Sequence, residues 1–334
     1  MESRSSKLVR FGLQIYNQSC RRIHQTVTLN INPNNVKEVQ IPVPWGHIAG
    51  KWWGDTSKQP ILALHGWQDN AGTFDPLLEL LPESFSVLAV DDPGHGLSSH
   101  FPEGMLYNFA NYLIMCKRIQ KYYNWTDPMN ILAHSKGAVI GVVFSAIYPE
   151  SVNALVAIDV IKPLAPSKKF YSKLGDNIDS TIIKMTRSAE KNKMYSLEEI
   201  EKRWIAGTKG SLTSEAVKIL LKRGAQLDPV SGKYSLTRDP RVKIWNLSYF
   251  DERQSLAIAS NVKCHLLAIR FTDGKFFDAP LKDSPSYLKT IENDAKSFKL
   301  VTIEGTHHNH LNNAKSVEPV ITEFLERVMN EKPS

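Results

Sequence analysis

The fold is decided by one strand-to-helix junction, Ile131-Leu132-Ala133-His134-Ser135-Lys136-Gly137-Ala138. An apolar run of strand composition leads into the serine, and an apolar helical run follows it directly. A serine hydroxyl exposed at such a junction needs a sharp turn with small residues two positions before and after it, because strand and helix backbones pass close together. Ala133 and Gly137 meet that need. We therefore interpret Ser135 as a candidate nucleophile; the alternative is a serine N-cap, which is also favoured at a helix start.

Short apolar strands alternate with helices on both sides of this junction. The predicted strands cover residues 36–43, 47–53, 60–65, 85–91, 129–134, 155–159, 262–269 and 298–303. The predicted helices cover residues 106–123, 137–148, 171–191, 197–205, 214–222, 286–296 and 317–329. This alternation indicates βαβ crossovers, and hence an α/β fold whose mostly parallel sheet has helices on both faces.

The alternation stops between residues 162 and 261, where the chain is richer in charge and mainly helical. An insertion of this length inside a parallel-sheet fold favours a cap or lid over the carboxyl edge of the sheet. We therefore predict an N-terminal extension over residues 1–30, a core over 31–161 and 262–334, and a helical lid over 162–261.

The composition excludes several classes of protein. Of the 334 residues, 42% are hydrophobic and 22% charged, so a sizeable buried core is expected. The net charge of +7 is scattered and forms no basic stripe, so we expect no nucleic-acid partner. No apolar run approaches the roughly 18 residues of a membrane span, so we expect no integral membrane segment. The sequence carries no signal for an oligomeric state.

Three cysteines, Cys20, Cys116 and Cys264, are far apart and form neither a CxxC pattern nor a disulfide framework. This usage favours a reducing compartment, and we expect a cytoplasmic protein. The alternative is a mitochondrial protein, because the first 22 residues contain five basic residues against one acidic residue, with serines between them.

A second junction could stabilise negative charge. The strand over residues 60–65 ends in His65-Gly66-Trp67. Acyl transfer builds negative charge on the carbonyl oxygen, and backbone N–H groups placed beforehand stabilise that charge. We predict that the N–H groups of Trp67 and Lys136 form an oxyanion hole. The alternative is a plain turn that uses the glycine for its dihedral angles, with Trp67 only packing.

A serine nucleophile needs a general base, and three histidines crowd the loop Gly305-Thr306-His307-His308-Asn309-His310 after the last predicted strand. His307 is the first choice, His308 is the alternative base, and His310 is expected to pack beneath the loop. Three close histidines could also bind zinc, but no acidic residue or cysteine is spaced with them, so we expect no metal.

The base needs a carboxylate that orients it. Our first choice is Asp273, which follows the strand predicted over residues 262–269 and would lie at the same edge of the sheet as Ser135. The alternative acid is Asp159, which ends the strand over residues 155–159, and Asp278 is a third candidate. Asp273-Gly274 could equally be an ordinary turn, since both residues favour turns.

The segment Asp91-Asp92-Pro93-Gly94-His95-Gly96 reads as a tight turn after a strand, with His95 anchoring it. It lacks the phosphate-binding pattern G-x-x-x-x-G-K-[ST], and no G-x-G-x-x-G follows any predicted strand. We therefore expect no nucleotide cofactor.

Together, His65-Gly66-Trp67-Gln68-Asp69-Asn70, the Asp91–Gly96 turn, the Ser135 junction and the closing His307-His308-Asn309-His310-Leu311 resemble the α/β-hydrolase superfamily in order and approximate spacing. Within it, the chain is similar to the insect kraken and vertebrate serine-hydrolase-like proteins. The resemblance runs from about residue 41 to residue 325 and is weakest in the lid.

The resemblance implies an α/β-hydrolase fold and a serine hydrolase that cleaves a small ester-like substrate without a cofactor. Two positions depart from the family pattern: Ala133 replaces the usual glycine, and Lys136 stands where an apolar residue is usual. Lys136 could pair with a lid carboxylate, assist an anionic substrate, or mark a site whose activity has drifted. The second hypothesis is therefore a non-enzymatic descendant that binds a small ligand.

Overall fold

The computed structural model describes residues 36–165, 171–187, 193–244, 249–282 and 284–331. The predicted N-terminal extension, with its basic segment and Cys20, lies outside these residues. Cys116 and Cys264 are buried free thiols. Within the described ranges, no helix combines the length and the apolar character that crossing a bilayer requires.

An eight-stranded sheet forms the centre of the molecule, and a second sheet of three short strands lies apart from it. The strands are β1 Val36–Val43, β2 Gly46–Trp53, β3 Ile61–Leu64, β4 Val87–Val90, β5 Met129–His134, β6 Val152–Ile158, β7 Met194–Tyr195, β8 Ala225–Leu227, β9 Tyr234–Leu236, β10 His265–Asp273 and β11 Ser297–Thr306. The large sheet has the order β1-β2-β4-β3-β5-β6-β10-β11. Pairing is antiparallel from β1 through β2 to β4 and parallel across the rest, as the alternating pattern predicts.

Helices lie on both faces of this sheet and in the segment inserted between β6 and β10. They are α1 Asp75–Leu78, α2 Phe109–Tyr122, α3 Lys136–Ile147, α4 Leu174–Arg187, α5 Leu197–Gly207, α6 Ser214–Gly224, α7 Glu252–Ser260, α8 Lys275–Lys282, α9 Ser286–Asp294, α10 Asn309–Asn312 and α11 Glu318–Asn330. Strands β3 and β4 are wholly buried, which is why they read as unbroken apolar runs.

Successive side chains of a strand point to opposite faces of the sheet, and the core divides accordingly into two apolar layers. Leu62 and Leu64 of β3 pack in the layer that contains α3, whereas Ile61 and Ala63 pack in the layer that contains α11. Because the strands are buried on both faces, this packing holds the carboxyl ends of the parallel strands together at one edge of the sheet.

The segment inserted between β6 and β10 carries helices, as expected, and also the three-stranded antiparallel sheet β7-β9-β8. These strands were not predicted because each is only two or three residues long, too short for an alternating pattern. The last helix of the segment, α7, packs against α3 and α9 and buries Ala259 in the main core. The end of the predicted lid is therefore part of the core layer.

Polar contacts tie the inserted segment to the edge of the sheet. Arg223 at the end of α6 forms a buried ion pair with Asp91, which follows β4. Asn70 Nδ2 donates to the Leu220 carbonyl, and Thr306 Oγ1 donates to the Ser211 carbonyl. The insertion is therefore docked beside the carboxyl ends of β3, β4 and β11.

Candidate active site

Ser135 stands at a strained turn between β5 and α3. Its backbone dihedrals are φ +53° and ψ −116°, in a region that L-residues rarely adopt. The turn brings α3 so close to β3 that a Cβ on Gly137 would lie 2.2 Å from the Leu64 carbonyl oxygen. Only glycine fits there, which explains why the junction needs a small residue after the serine.

The Ser135 hydroxyl is the first member of a hydrogen-bonded chain of three side chains. His307 Nε2 lies 2.9 Å from Ser135 Oγ, and His307 Nδ1 lies 2.6 Å from Asp159 Oδ2. A carboxylate can only accept, so Nδ1 carries the ring proton and Nε2 accepts from the hydroxyl. The structure thus brings together the predicted serine and the first-choice histidine.

Asp159 is held for this contact by its neighbours. It directly follows β6, its φ is +55°, and its N–H donates to the Ile269 carbonyl at 2.7 Å. Its Oδ1 accepts from the Phe271 N–H at 2.8 Å. A Cβ on Gly274 would lie 2.1 Å from Oδ2, so glycine leaves room for the carboxylate. The carboxyl group is fully buried and points one oxygen at the imidazole.

Asp273, the first-choice acid, does not occupy this position. Strand β10 runs on to Asp273 rather than ending near residue 269, and this extension carries Asp273 to an exposed site. Asp278 pairs with Arg270 at 2.7 Å. The carboxylate at His307 is therefore the alternative, Asp159, because the extended β10 supplies backbone donors and acceptors to Asp159.

The peptide after Gly66 is oriented by a buried imidazole. His65 Nε2 accepts from the Asp92 N–H at 3.0 Å, so its Nδ1 carries the proton and donates to the Gly66 carbonyl at 2.7 Å. In a planar trans peptide the Trp67 N–H points away from that carbonyl. His65 therefore fixes the direction of the Trp67 N–H.

The second predicted donor is the N–H of Lys136, the first residue of α3, where a helix leaves its N–H groups without intrahelical partners. The indole of Trp67 is half exposed, and its Nε1 donates to the Val242 carbonyl in the inserted segment. Trp67 thus makes a packing contact in addition to any role of its backbone.

Comparisons with known proteins identify the family and the fold. The model of the α/β hydrolase fold family matches residues 59–207. A probable serine hydrolase of Drosophila melanogaster is 37% identical over 86% of this chain and 87% of its own length. The chain belongs to the α/β-hydrolase superfamily. Human serine hydrolase-like protein 2 is 32% identical over 89% of this chain and 96% of its own length.

A solved structure also matches this α/β-hydrolase. It is that of a hypothetical protein from Pseudomonas aeruginosa PAO1, with a TM-score of 0.74 and 27% identity, over 87% of this chain and 99% of that chain. The α/β-hydrolase fold that the junction motifs predict is therefore confirmed.

The side chain of Lys136 turns back into the core of the α/β-hydrolase. Its ammonium pairs with the buried Asp92 and lies 4.2 Å from the centre of the Tyr112 ring. Of the three roles considered for Lys136, pairing with a lid carboxylate is therefore wrong, because the partner is Asp92 of the core. Because Asp92 neutralises the ammonium, Lys136 is poorly placed to recruit an anionic substrate.

The alternative base, His308, faces a different group from Ser135. Its Nδ1 lies 2.6 Å from Ser211 Oγ, and its Nε2 lies 3.7 Å from Asp69 Oδ1. His310 is fully buried beneath the loop and meets Thr73 Oγ1 at 3.0 Å, as expected. Of the three clustered histidines, His307 is the one that contacts the serine.

Sequence reasoning missed two residues behind the base, His134 and Asp69. His134 Nε2 donates to the His307 carbonyl at 2.9 Å and so anchors the backbone of the base. Burial lowers the pKa of His134 to about 3, against a weaker upward effect of Asp69. The pKa of Asp69 lies well below its usual range because His308 and His134 outweigh the effect of burial. The available signals were the position of His134 directly before Ser135 and of Asp69 two residues after Trp67.

Proposed function

We propose that this α/β-hydrolase is a serine hydrolase that cleaves a carboxylic ester or related acyl bond of a small molecule. The observation that carries the proposal is the chain Ser135 Oγ, His307 Nε2, His307 Nδ1 and Asp159 Oδ2, with contacts of 2.9 and 2.6 Å. A hydroxyl is a weak nucleophile at neutral pH, and an oriented imidazole within hydrogen-bond distance is what activates it. The family relationship supports the same chemistry.

In the proposed reaction Ser135 Oγ attacks the acyl carbon while its proton passes to His307 Nε2. Asp159 stabilises the imidazolium, and the N–H groups of Trp67 and Lys136 stabilise the negatively charged carbonyl oxygen. The bond to the leaving alcohol then breaks, and that oxygen takes the proton from His307. Water, deprotonated by the same imidazole, attacks the acyl-enzyme and releases the carboxylic acid and the free serine.

The experiment that tests the proposal is labelling with a fluorophosphonate probe, which reacts with activated serines. We expect the parent protein to be labelled and Ser135→Ala to remain unlabelled, with turnover of short p-nitrophenyl esters reduced by on the order of 10⁶-fold. Ser57→Ala, in an exposed turn, is the matched control and keeps both signals. A Ser135→Ala protein that hydrolyses these esters at the parent rate would refute the assignment.

One observation favours a second function, that of a small-ligand-binding protein without turnover. A cation, Lys136, directly follows the candidate nucleophile. Asp92 neutralises its charge, and the backbone N–H of Lys136 is still present in the first turn of α3. The same labelling experiment separates the two functions. A folded parent protein that resists the probe yet gains thermal stability from small esters would favour the binding protein.

A further inference from the structure

Three buried side chains with metal-ligating atoms converge behind the base. Asp69 follows β3, His134 ends β5 and His308 follows β11, and each is nine-tenths or more buried. One carboxylate oxygen and one ring nitrogen from each histidine all lie within 4.8 Å of one another. The sequence offers no acidic residue spaced with His308, but the fold supplies Asp69 from a distant loop.

Two pairs of these atoms lie near the separation expected of ligands on a small tetrahedral ion. His134 Nδ1 lies 3.5 Å from Asp69 Oδ2, and His308 Nε2 lies 3.7 Å from Asp69 Oδ1. Ligands bound at about 2 Å to a tetrahedral zinc ion lie roughly 3.3 Å apart. The two histidine–carboxylate distances, each to a different oxygen of Asp69, are close to that separation, and the three ligand atoms all lie within 4.8 Å of one another.

His134 Nδ1 points into this cluster without a hydrogen-bond partner. The His307 carbonyl can only accept, so His134 Nε2 carries the ring proton and Nδ1 presents a lone pair. Over the part of the chain that the structure describes, this buried nitrogen makes no hydrogen bond. It lies 3.5 Å from a carboxylate oxygen, so two lone pairs oppose each other at a buried site, which is unfavourable unless a proton or a metal cation lies between them.

The outer contacts of both histidines are those of metal ligands. A ligating histidine usually donates its other ring N–H to a carbonyl or another oxygen, which fixes the ring and its tautomer. His134 donates to the His307 carbonyl, and His308 Nδ1 lies 2.6 Å from Ser211 Oγ. Binding of an ion by His308 Nε2 requires the tautomer in which Nδ1 donates to Ser211 Oγ.

We propose that Asp69, His134 and His308 bind one divalent transition-metal ion of the zinc class, at a site distinct from Ser135, His307 and Asp159. Two neutral imidazoles and one carboxylate form a donor set that zinc favours. A bound ion links the loops after β3 and β11 to the end of β5, and through Ser211 it also holds the inserted segment. We therefore expect metal binding to raise the thermal stability of the folded chain.

The test is titration of the full-length, chelator-treated protein with Zn²⁺ by calorimetry and with Co²⁺ by visible absorption. We expect one ion per chain, the intense absorption of four-coordinate Co²⁺, and a rise in the melting temperature. Asp69→Asn and His308→Gln should weaken Zn²⁺ binding by at least about 100-fold, since each removes a ligand. His100→Gln, at a half-exposed histidine, is the matched control and should bind as the parent does.

Absence of binding at micromolar Zn²⁺ and Co²⁺ would overturn the proposal, and so would parent-like binding by Asp69→Asn and His308→Gln. Should these buried variants fail to fold, X-ray absorption of the Zn²⁺-loaded parent decides the matter. Two imidazole ligands around the ion support the site, whereas a shell without two imidazoles contradicts it. None of these measurements depends on hydrolytic activity.

Discussion

Two fully buried aspartates stand at the same edge of the sheet and have different partners. Asp91 follows β4 and accepts from the Ala71 and Leu97 N–H groups and from the guanidinium of Arg223. Asp159 follows β6 and accepts from the Phe271 N–H and from the ring of His307. Both carboxylates are buried at the same edge and both accept from backbone N–H groups, so the main difference between the two sites is the side chain that faces the carboxylate.

That partner decides what each carboxylate can do. Asp91, together with Glu38, outweighs burial and raises the pKa of Arg223 above its usual value, so the guanidinium stays charged and serves to hold the inserted segment. An imidazole gains and loses a proton near neutral pH, so a carboxylate against it can support proton transfer. The Asp91 site is therefore suited to stabilising the fold, and the Asp159 site is suited to supporting proton transfer.

The largest expected effect is on turnover at the Asp159 site. Asp159→Asn keeps an acceptor for the Phe271 N–H but no longer stabilises the protonated His307 or its tautomer. We expect kcat for p-nitrophenyl ester hydrolysis to fall by about 10⁴-fold while the melting temperature changes little. Full activity in Asp159→Asn would show that Asp159 does not serve the base.

At the Asp91 site the expected effect is on stability. Arg223→Met leaves Asp91 buried without its cation, which should lower the free energy of unfolding by about 3–5 kcal/mol in urea titrations. Arg253→Met, at an exposed position of α7, should change it by less than about 0.5 kcal/mol. Equal losses from the two variants would contradict a special role for the buried pair.

The turn after Asp91 should also make stability depend on pH. Burial, with smaller effects of Lys136 and His65, lowers the pKa of His95 well below its usual range. Below about pH 6.5 the unfolded chain therefore binds a proton at His95 that the folded chain does not, and stability falls as pH falls, by roughly 1.4 kcal/mol per unit.

His95→Gln removes this contribution, so its free energy of unfolding should decline less steeply between about pH 6.5 and pH 4.5 than that of the parent. Identical slopes for His95→Gln and the parent would mean that His95 is protonated in the folded state.

The smallest effect is expected at Asp273. Asp273→Asn alters an exposed carboxylate at the end of β10, so both kcat and the free energy of unfolding should stay near parent values, the latter within about 0.5 kcal/mol. It is also the matched control for Asp159→Asn, because the change is chemically identical. A large loss of activity here would restore Asp273 as the acid.

The order of strands and helices could be predicted because strands buried on both faces are short continuous apolar runs, which are visible in the sequence. The turn at Ser135 could also be predicted, since the close approach of α3 to β3 requires a glycine at position 137. The carboxylate that faces His307 could not be predicted in this way. Asp-Gly after a strand looks the same whether that strand ends near residue 269 or at Asp273, and the end depends on pairing with β11.

The short sheet of the inserted segment and the cluster of Asp69, His134 and His308 were out of reach for the same reason. Their members come from separate parts of the chain, and each member alone resembles an ordinary turn or core residue. No local sequence pattern predicts a contact between segments that are far apart in the chain.

By itself, the sequence predicted the layered architecture and singled out Ser135 and His307, whose side chains the structure places 2.9 Å apart, because these predictions follow from local periodicity and from small residues at tight turns. Only the tertiary structure decided which carboxylate meets His307 and which one meets Arg223. The physical reason is that a hydrogen bond needs two groups within about 3 Å, and strand registry rather than chain order sets that distance.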